Sequence, residues 1–306
     1  MAAAATGLRR ESKVGASVLA GVILGAHDLD ATRAFYDRVL GGTSHEWSHD
    51  SARRTLTLAL GPQRIEFLSQ RRTRTLTETG HHVGLRVDPD RLDHTLASLT
   101  SAGCTVDWWH EDHPAERGLS AYVTDPSGNR VQLVPSSTAD GLLDHITVEI
   151  EDPDGTLEHV EDFFVHVLGG ITDYWHGVTI EQVQEAKRWT AGDDPCAPWT
   201  RRLRGSYPGH VDENYRPDHT KRARPALQFF ATFDTVRLGV VLADDIGRQE
   251  PPSGVVRGVP ALAFDSRSTG SEAATLLSGV PHEIEGRQVF VRGPDATFIR
   301  LDCVGP

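Results

Sequence analysis

The stretch Asp28-Leu29-Asp30-Ala31-Thr32-Arg33-Ala34-Phe35-Tyr36-Asp37-Arg38-Val39-Leu40-Gly41-Gly42 decides the reading of the fold. Ala34, Phe35, Val39 and Leu40 fall near helical spacing, Asp28 or Asp30 can cap the start, and the paired glycines stop it. An apolar strand candidate, Val18 to Ala26, precedes this helix. Three short strand candidates follow it: Thr43 to Ser48, Arg54 to Leu60 with Leu56, Leu58 and Leu60 alternating, and Gln63 to Ser69. Polar turns and Gly61-Pro62 separate them, so the order is βαβββ.

Working outward, the same order recurs. A second block reads as strand His82 to Val87, helix Asp90 to Ala102 ended by Gly103, and strands near Thr105 to Trp109, Leu119 to Thr124 and Arg130 to Val134. The breakers Asp125-Pro126-Ser127-Gly128-Asn129 precede its last strand. A third has strand Leu143 to Ile150, helix Thr156 to Leu168, a strand at Ile171 to Trp175, and late strands Ala226 to Phe233 and Val236 to Leu242. A fourth has strand Val259 to Phe264, helix Ser271 to Leu277, and strands around His282 to Ile284, Gln288 to Arg292 and Thr297 to Cys303.

The fold class expected is α+β, with four βαβββ modules in two domains. A repeated unit of this size cannot bury its sheet face alone and must pair with a neighbour. The economical division gives a tail at 1–17, a first domain at 18–135 holding modules one and two, a linker at 136–142, and a second domain at 143–306 holding modules three and four. An insertion at about 177–225 interrupts module three; it is arginine-rich and carries Pro195, Pro198, Pro208, Pro217 and Pro225. Segments of that length are usually functional covers or disordered.

Composition narrows the function. Forty-three acidic against 31 basic side chains leave a formal charge of -12 over 306 residues, a field that repels nucleic acid and anionic lipid. No apolar run reaches membrane-spanning length, and the start MAAAATGLRRESK lacks the apolar stretch of a secretory signal. The cysteines Cys104, Cys196 and Cys303 form no CxxC pair, which points to a reducing compartment; the expected location is cytoplasmic. No GxSxG, P-loop or dinucleotide fingerprint stands in the required strand-to-helix context.

Three stretches together resemble the vicinal oxygen chelate superfamily, which includes glyoxalase I, bleomycin-resistance proteins and extradiol dioxygenases. The run Asp28 to Gly42 looks like its first helix, Asp125-Pro126-Ser127-Gly128-Asn129-Arg130-Val131-Gln132-Leu133 like its last strand, and Leu143-Asp144-His145-Ile146 like its metal-bearing first strand. The resemblance covers nearly the whole chain outside the tail and the insertion. The four-unit layout is similar to that of two-domain extradiol ring-cleavage dioxygenases. It implies that paired modules curl into half-open barrels, with ligands for a divalent metal ion (Fe, Mn, Ni, Zn or Mg) projecting from first and last strands. Such a cation takes imidazole nitrogen and carboxylate oxygen and leaves positions open for neighbouring substrate oxygens.

Position by position, the dioxygenase-like arrangement places His145 at a ligand position in the second domain, but Ala261 where a second His belongs and Arg300 where a carboxylate belongs. Neither alanine nor a guanidinium ligates a cation, so ring-cleaving iron chemistry is not expected there. In the first domain the resemblance puts Glu66, His82 and Gln132 at ligand positions, with Gly21 donating nothing. The alternative for Glu66 and Gln132 is a polar residue on the open face of a sheet, and for His82 a hydrogen-bonded core histidine. His145 reads as a relic, a hydrogen-bond donor or a general acid or base. Arg300 reads as a grip for a carboxylate, enolate or phenolate, or as the partner of one of the many acids.

Two further tracts carry candidates. Trp108-Trp109-His110-Glu111-Asp112-His113 offers aromatic faces to a planar ligand or to a subunit contact. In the insertion, His210, Asp212, Glu213 and His219 have spacings a metal could use, with a solvated loop as the commoner explanation, and Trp199, Tyr207 and Tyr215 could close as a lid.

The function expected is an enzyme of dioxygenase, isomerase or lyase type, acting with a divalent metal on a small oxygen-rich metabolite of aromatic or polyketide-like character. The alternatives are a metal-free enzyme using His145 and Arg300 in the C-terminal cavity, and a non-catalytic protein that sequesters an aromatic molecule. The expected partner is a small-molecule substrate, with no nucleic acid and no membrane; the resemblance adds a homodimer as an option.

Overall fold

The computed structural model describes residues 17–41, 45–71, 81–108, 121–137, 141–151, 161–176, 185, 228–234, 236–243, 255, 257, 259–293 and 297–305. The insertion candidates, the tract from Trp109 to His113, and nearly all of the N-terminal tail lie outside these residues, as does the first part of the helix expected in module three.

Modules one, two and four follow the anticipated order, and the described part of module three has a π-helical turn where an α-helix was expected. Module one comprises β1 (Ser17–Ala26), α1 (Leu29–Leu40), β2 (Glu46–Asp50), β3 (Thr55–Leu60) and β4 (Gln63–Ser69). Module two comprises β5 (His82–Val87), α2 (Pro89–Ser101), β6 (Val106–Trp108), β7 (Ala121–Thr124) and β8 (Arg130–Pro135). Module three has β9 (Leu143–Glu151), a π-helical turn at Asp162–Val167, β10 (Ile171–His176), β11 (Gln228–Phe233) and β12 (Val236–Ala243). Module four has β13 (Ala261–Thr269), α3 (Gly270–Leu276), β14 (His282–Glu285), β15 (Gln288–Arg292) and β16 (Phe298–Val304).

Local chemistry explains the elements. Asp28 caps α1 by accepting from the backbone N–H groups of Asp30 and Ala31, and the helix buries Thr32, Phe35, Tyr36, Val39 and Leu40 along one stripe. Strand β3 alternates, with Leu56, Leu58 and Leu60 buried and its other residues half-buried. In the turn before β8, Asp125 Oδ1 accepts from the backbones of Ser127 and Asn129, which positions Asn129 to donate to the Gly25 carbonyl at 3.0 Å. That turn therefore fastens module two to the end of β1.

The strands assemble into two open eight-stranded sheets. Sheet A runs β14-β15-β16-β13-β1-β4-β3-β2 and sheet B runs β10-β11-β12-β9-β5-β8-β7-β6. Modules one and four thus share one sheet and modules two and three the other, which corrects the expected pairing of sequence neighbours one with two and three with four. The physical reason lies in the segment 136–142. Its ends are zipped onto β5: Ser136 N–H donates to the Val87 carbonyl, Gly141 N–H to the Arg86 carbonyl, and Arg86 N–H to the Leu142 carbonyl. A link this short returns the chain beside β5, where β9 pairs antiparallel with it. The described ends of this segment thus connect β8 to β9 within sheet B.

One apolar core draws on both sheets and on α1 and α2, from Leu24, Phe35 and Phe67 to Leu85, Ile146, Leu238 and Leu301. Burying it supplies the main driving force for assembly. Each sheet turns its other face away from this core, and those faces carry the polar residues of interest. No helix among the described residues is long and apolar enough to cross a membrane.

Candidate functional site

On sheet B, register sets the site. Gly84 of β5 stands opposite Gln132 of β8 and opposite His145 of β9, while His82 stands opposite Thr147. Since side chains alternate along a strand, His82, Gln132 and His145 share the face opposite the core. His82 Nε2 and His145 Nε2 stand 3.0 Å apart, and His145 Nε2 lies 3.1 Å from Gln132 Oε1. The two imidazoles meet edge to face, with centroids 5.1 Å apart at 88°.

Neighbours hold these groups in place. Tyr122, opposite Gln132 across the β7–β8 ladder, donates its hydroxyl to Gln132 Oε1 at 3.0 Å, and its ring packs edge-on against His82. Arg130 stacks over the Tyr122 ring at 4.1 Å, and on the far side of the centre Arg237 stacks over Phe230 at 4.7 Å. Gly84 makes room for the imidazole, because a Cβ there would meet His145 Cε1 at 2.5 Å. His145 Nδ1 lies 2.8 Å from Asp144 Oδ2, and Arg86 Nε donates to Asp144 Oδ1 at 3.0 Å. Burial alone would raise the Asp144 carboxyl, but His145 and Arg86 outweigh it and hold it down at about 2.

The donor set fits a divalent cation. Two imidazole nitrogens and an amide oxygen converge; without a cation one ring N–H serves the contact between the two histidines, and the Gln132 oxygen, which only accepts, is left facing a nitrogen. Neighbouring ligands about 2.1 Å from a metal stand about 3.0 Å apart in right-angled coordination, which matches the observed spacing. Imidazole donors suit Zn, Fe, Ni or Cu better than Ca. Among the described residues no three His, Cys, Asp or Glu side chains gather at one point, and the third donor beside the two histidines is the Gln132 amide oxygen. The corresponding position on β12 is Gly239, where a Cβ would press on the Phe230 ring at 2.8 Å.

Sheet A has the same layout but different chemistry. Arg300 of β16 grips Glu66 of β4 with both terminal nitrogens, Nη1 to Oε2 at 2.7 Å and Nη2 to Oε1. Arg300 also donates to Asp302 Oδ2 from Nε at 3.1 Å and from Nη2 at 2.8 Å. Arg64 donates to Glu66 Oε1 at 2.9 Å, to Asp265 Oδ1 at 2.9 Å and to Asp302 Oδ2 at 2.5 Å. Burial would raise the Glu66 carboxyl, yet Arg300 and then Arg64 pull it below its ordinary value. Beside this lattice, Ile23, Ala261 and Ala263 form a small apolar cluster with Leu68 and Phe298 against it. A metal does not fit here, because both Glu66 oxygens are already held by guanidinium groups and the opposing positions carry no donor.

The expected ligand set of Glu66, His82 and Gln132 is therefore divided. His82 and Gln132 meet on sheet B, joined by His145, while Glu66 lies on sheet A in the grip of Arg300. The expected union of His145 and Arg300 in one C-terminal cavity is divided in the same way, and Arg300 is paired with acids. Sequence reasoning passed over Tyr122, Asp144, Arg86 and Gly84. Asp144 stands immediately before His145, but nothing in a strand pattern says that adjacent side chains will meet.

Residues 19–133 match the family model of the Glyoxalase/Bleomycin resistance protein/Dioxygenase superfamily. That segment belongs to this superfamily. Two solved structures share the fold over nearly the whole chain. Glyoxalase I from Zea mays is 14% identical with a TM-score of 0.57, covering 93% of this chain and 92% of its own. A protein from Bacillus subtilis subsp. subtilis str. 168, provisionally named a dioxygenase, is 13% identical with a TM-score of 0.52, covering 97% and 87%. No curated protein matches the chain in sequence. At these identities the two structures are similar in fold, and the chemistry has to be argued from the site.

Proposed function

We propose that the chain is a metal-dependent enzyme that holds one divalent cation through His82, His145 and Gln132 on sheet B. Its substrate would be a small molecule presenting two neighbouring oxygens. The observation that carries this reading is the convergence of His82 Nε2, His145 Nε2 and Gln132 Oε1 within 3.1 Å contacts on one face of a sheet. When bound, the cation supplies Lewis-acid stabilisation of negative charge developing on a substrate oxygen.

The chain's own residues do the rest. Tyr122 orients the Gln132 amide so that its oxygen faces the centre. The three donors are neutral, so they leave a bound cation its full charge; the reading favours isomerase or lyase chemistry through an enolate or phenolate. Oxygen-activating iron centres usually take two histidines and a carboxylate, and no carboxylate belongs to this donor set. The stacked pairs Tyr122 with Arg130 and Phe230 with Arg237 bracket the centre and suit a planar, electron-rich substrate.

Cobalt(II)-loaded protein titrated with acetohydroxamate, a bidentate oxygen ligand, tests the reading. A saturable change in the visible cobalt bands, absent when His82→Ala and His145→Ala are combined, is expected. Bands that do not respond to the hydroxamate would refute the claim that neighbouring oxygens bind there.

A further inference from the structure

We propose that Asp144, anchored by Arg86, is the positioning residue that fixes His145 with its proton on Nδ1 and its Nε2 lone pair facing His82 and Gln132. In a regular strand Asp144 and His145 would point to opposite faces. The ladder between β5 and β9 is broken at this place: Gly84 pairs with His145 and Leu85 with Leu143, leaving Asp144 as the extra residue of a bulge. Bulges re-aim side chains, and this one swings the Asp144 carboxylate to within 2.8 Å of Nδ1 of its own neighbour. A carboxylate only accepts hydrogen bonds, so the proton of that contact sits on His145 Nδ1. In the neutral ring Nε2 is then a lone pair: it accepts from His82 Nε2–H at 3.0 Å, while Gln132 Oε1, itself an acceptor served by the Tyr122 hydroxyl, approaches it at 3.1 Å with no proton between them, so two lone pairs are aimed at one point.

Both neighbours of the carboxylate are themselves held. Arg86 Nε donates to its other oxygen, while the Arg86 backbone bonds Leu142 and Gly141 on the incoming turn. Sheet A supplies an internal contrast. Its ladder between β1 and β13 carries a register shift at the matching place, between Leu19 and Gly21, and the extra residue there is Ala20. The same bulge thus precedes Gly21 on one sheet and His145 on the other, and only the second carries an acid. Carboxylate partners of this kind raise the basicity of a metal-binding histidine and commonly change metal affinity 10–100-fold.

The positioning is a property of the metal-free protein; only its consequence for affinity rests on the metal-centre reading. The test is long-range proton–nitrogen NMR of the histidine rings at about pH 8.5, above the ordinary histidine range, with His145 assigned by comparison with His145→Gln. Wild type is expected to show the Nδ1–H form of His145. Asp144→Ala should shift the population towards Nε2–H, and Asp144→Asn, whose amide oxygen still accepts, should retain Nδ1–H. Asp144→Ser, polar but too short to reach the ring, repeats the test should alanine not fold.

Cobalt(II) titration forms the second arm, with affinity expected to fall about 10–100-fold in Asp144→Ala and less in Asp144→Asn. An Nε2–H wild type, or an unchanged ring in both Asp144→Ala and Asp144→Ser, overturns the positioning role even if metal binds. The expected ring behaviour in a protein that takes up no cobalt upholds the positioning role and sinks the metal centre instead.

Discussion

Replacing Arg300 with methionine withdraws the guanidinium that holds both Glu66 oxygens. Glu66 and Arg300 are 13% and 10% exposed at their side chains, and removing one partner of such a buried pair costs about 3–5 kcal/mol. Glu66 keeps the Arg64 contact at 2.9 Å, and Asp302 keeps Arg64 and the amide of Gln288. Those remaining bonds place the expected loss near the low end, about 3 kcal/mol. Changing Glu66→Met at the same time removes the stranded charge and lets both methionines pack against Ile23, Ala261 and Phe298, so the double variant should lie within about 1 kcal/mol of wild type. Urea unfolding of the four proteins at neutral pH, with the slope checked for constancy, gives the coupling directly. The reasoning fails if Arg300→Met costs less than about 1 kcal/mol, or if the double variant loses the sum of the single losses.

Two further outcomes follow from the same geometry. Gly84→Ala should displace the His145 ring, cost about 1–3 kcal/mol through overpacking, and weaken cobalt(II) binding in a protein that keeps its circular dichroism; unchanged affinity would contradict the contact at 2.5 Å. The Glu66 carboxyl titrates below its ordinary value of 4.5 in the folded chain, so its contribution is complete above that value and is lost as pH falls through the lower folded value. Between about pH 5 and pH 3 wild type should therefore lose more stability than the Glu66→Met, Arg300→Met double variant, and equal losses would remove Glu66 from the acid response.

The module order was legible because local signals carry it: the Asp28 cap, the alternation of Leu56, Leu58 and Leu60, and the Asp125 turn all formed as expected. Which modules share a sheet was not, because all four open with an apolar strand that could pair with any other. The informative feature was the brevity of 136–142, and its polar, small-residue composition reads equally as a domain linker and as a turn. That one inversion divided the candidate site. The strand candidates held Glu66, His82, Gln132, His145 and Arg300 and the family resemblance singled them out, but grouping them required knowing that β1 meets β13 and β5 meets β9. The reading of Arg300 as the partner of an acid matches the structure, whereas the identity of that acid, 234 positions away, is a tertiary fact. Asp144 was hidden for another reason, since a bulge leaves no mark in apolar periodicity.

The most direct measurement is the metal content per chain after reconstitution with cobalt(II) and desalting, made on wild type and two double variants. About one equivalent is predicted for wild type and for Glu66→Met with Arg300→Met, and almost none for His82→Ala with His145→Ala. Two equivalents in wild type, loss of metal from the sheet A variant, or metal retained by the histidine variant would contradict the assignment of a single centre to sheet B.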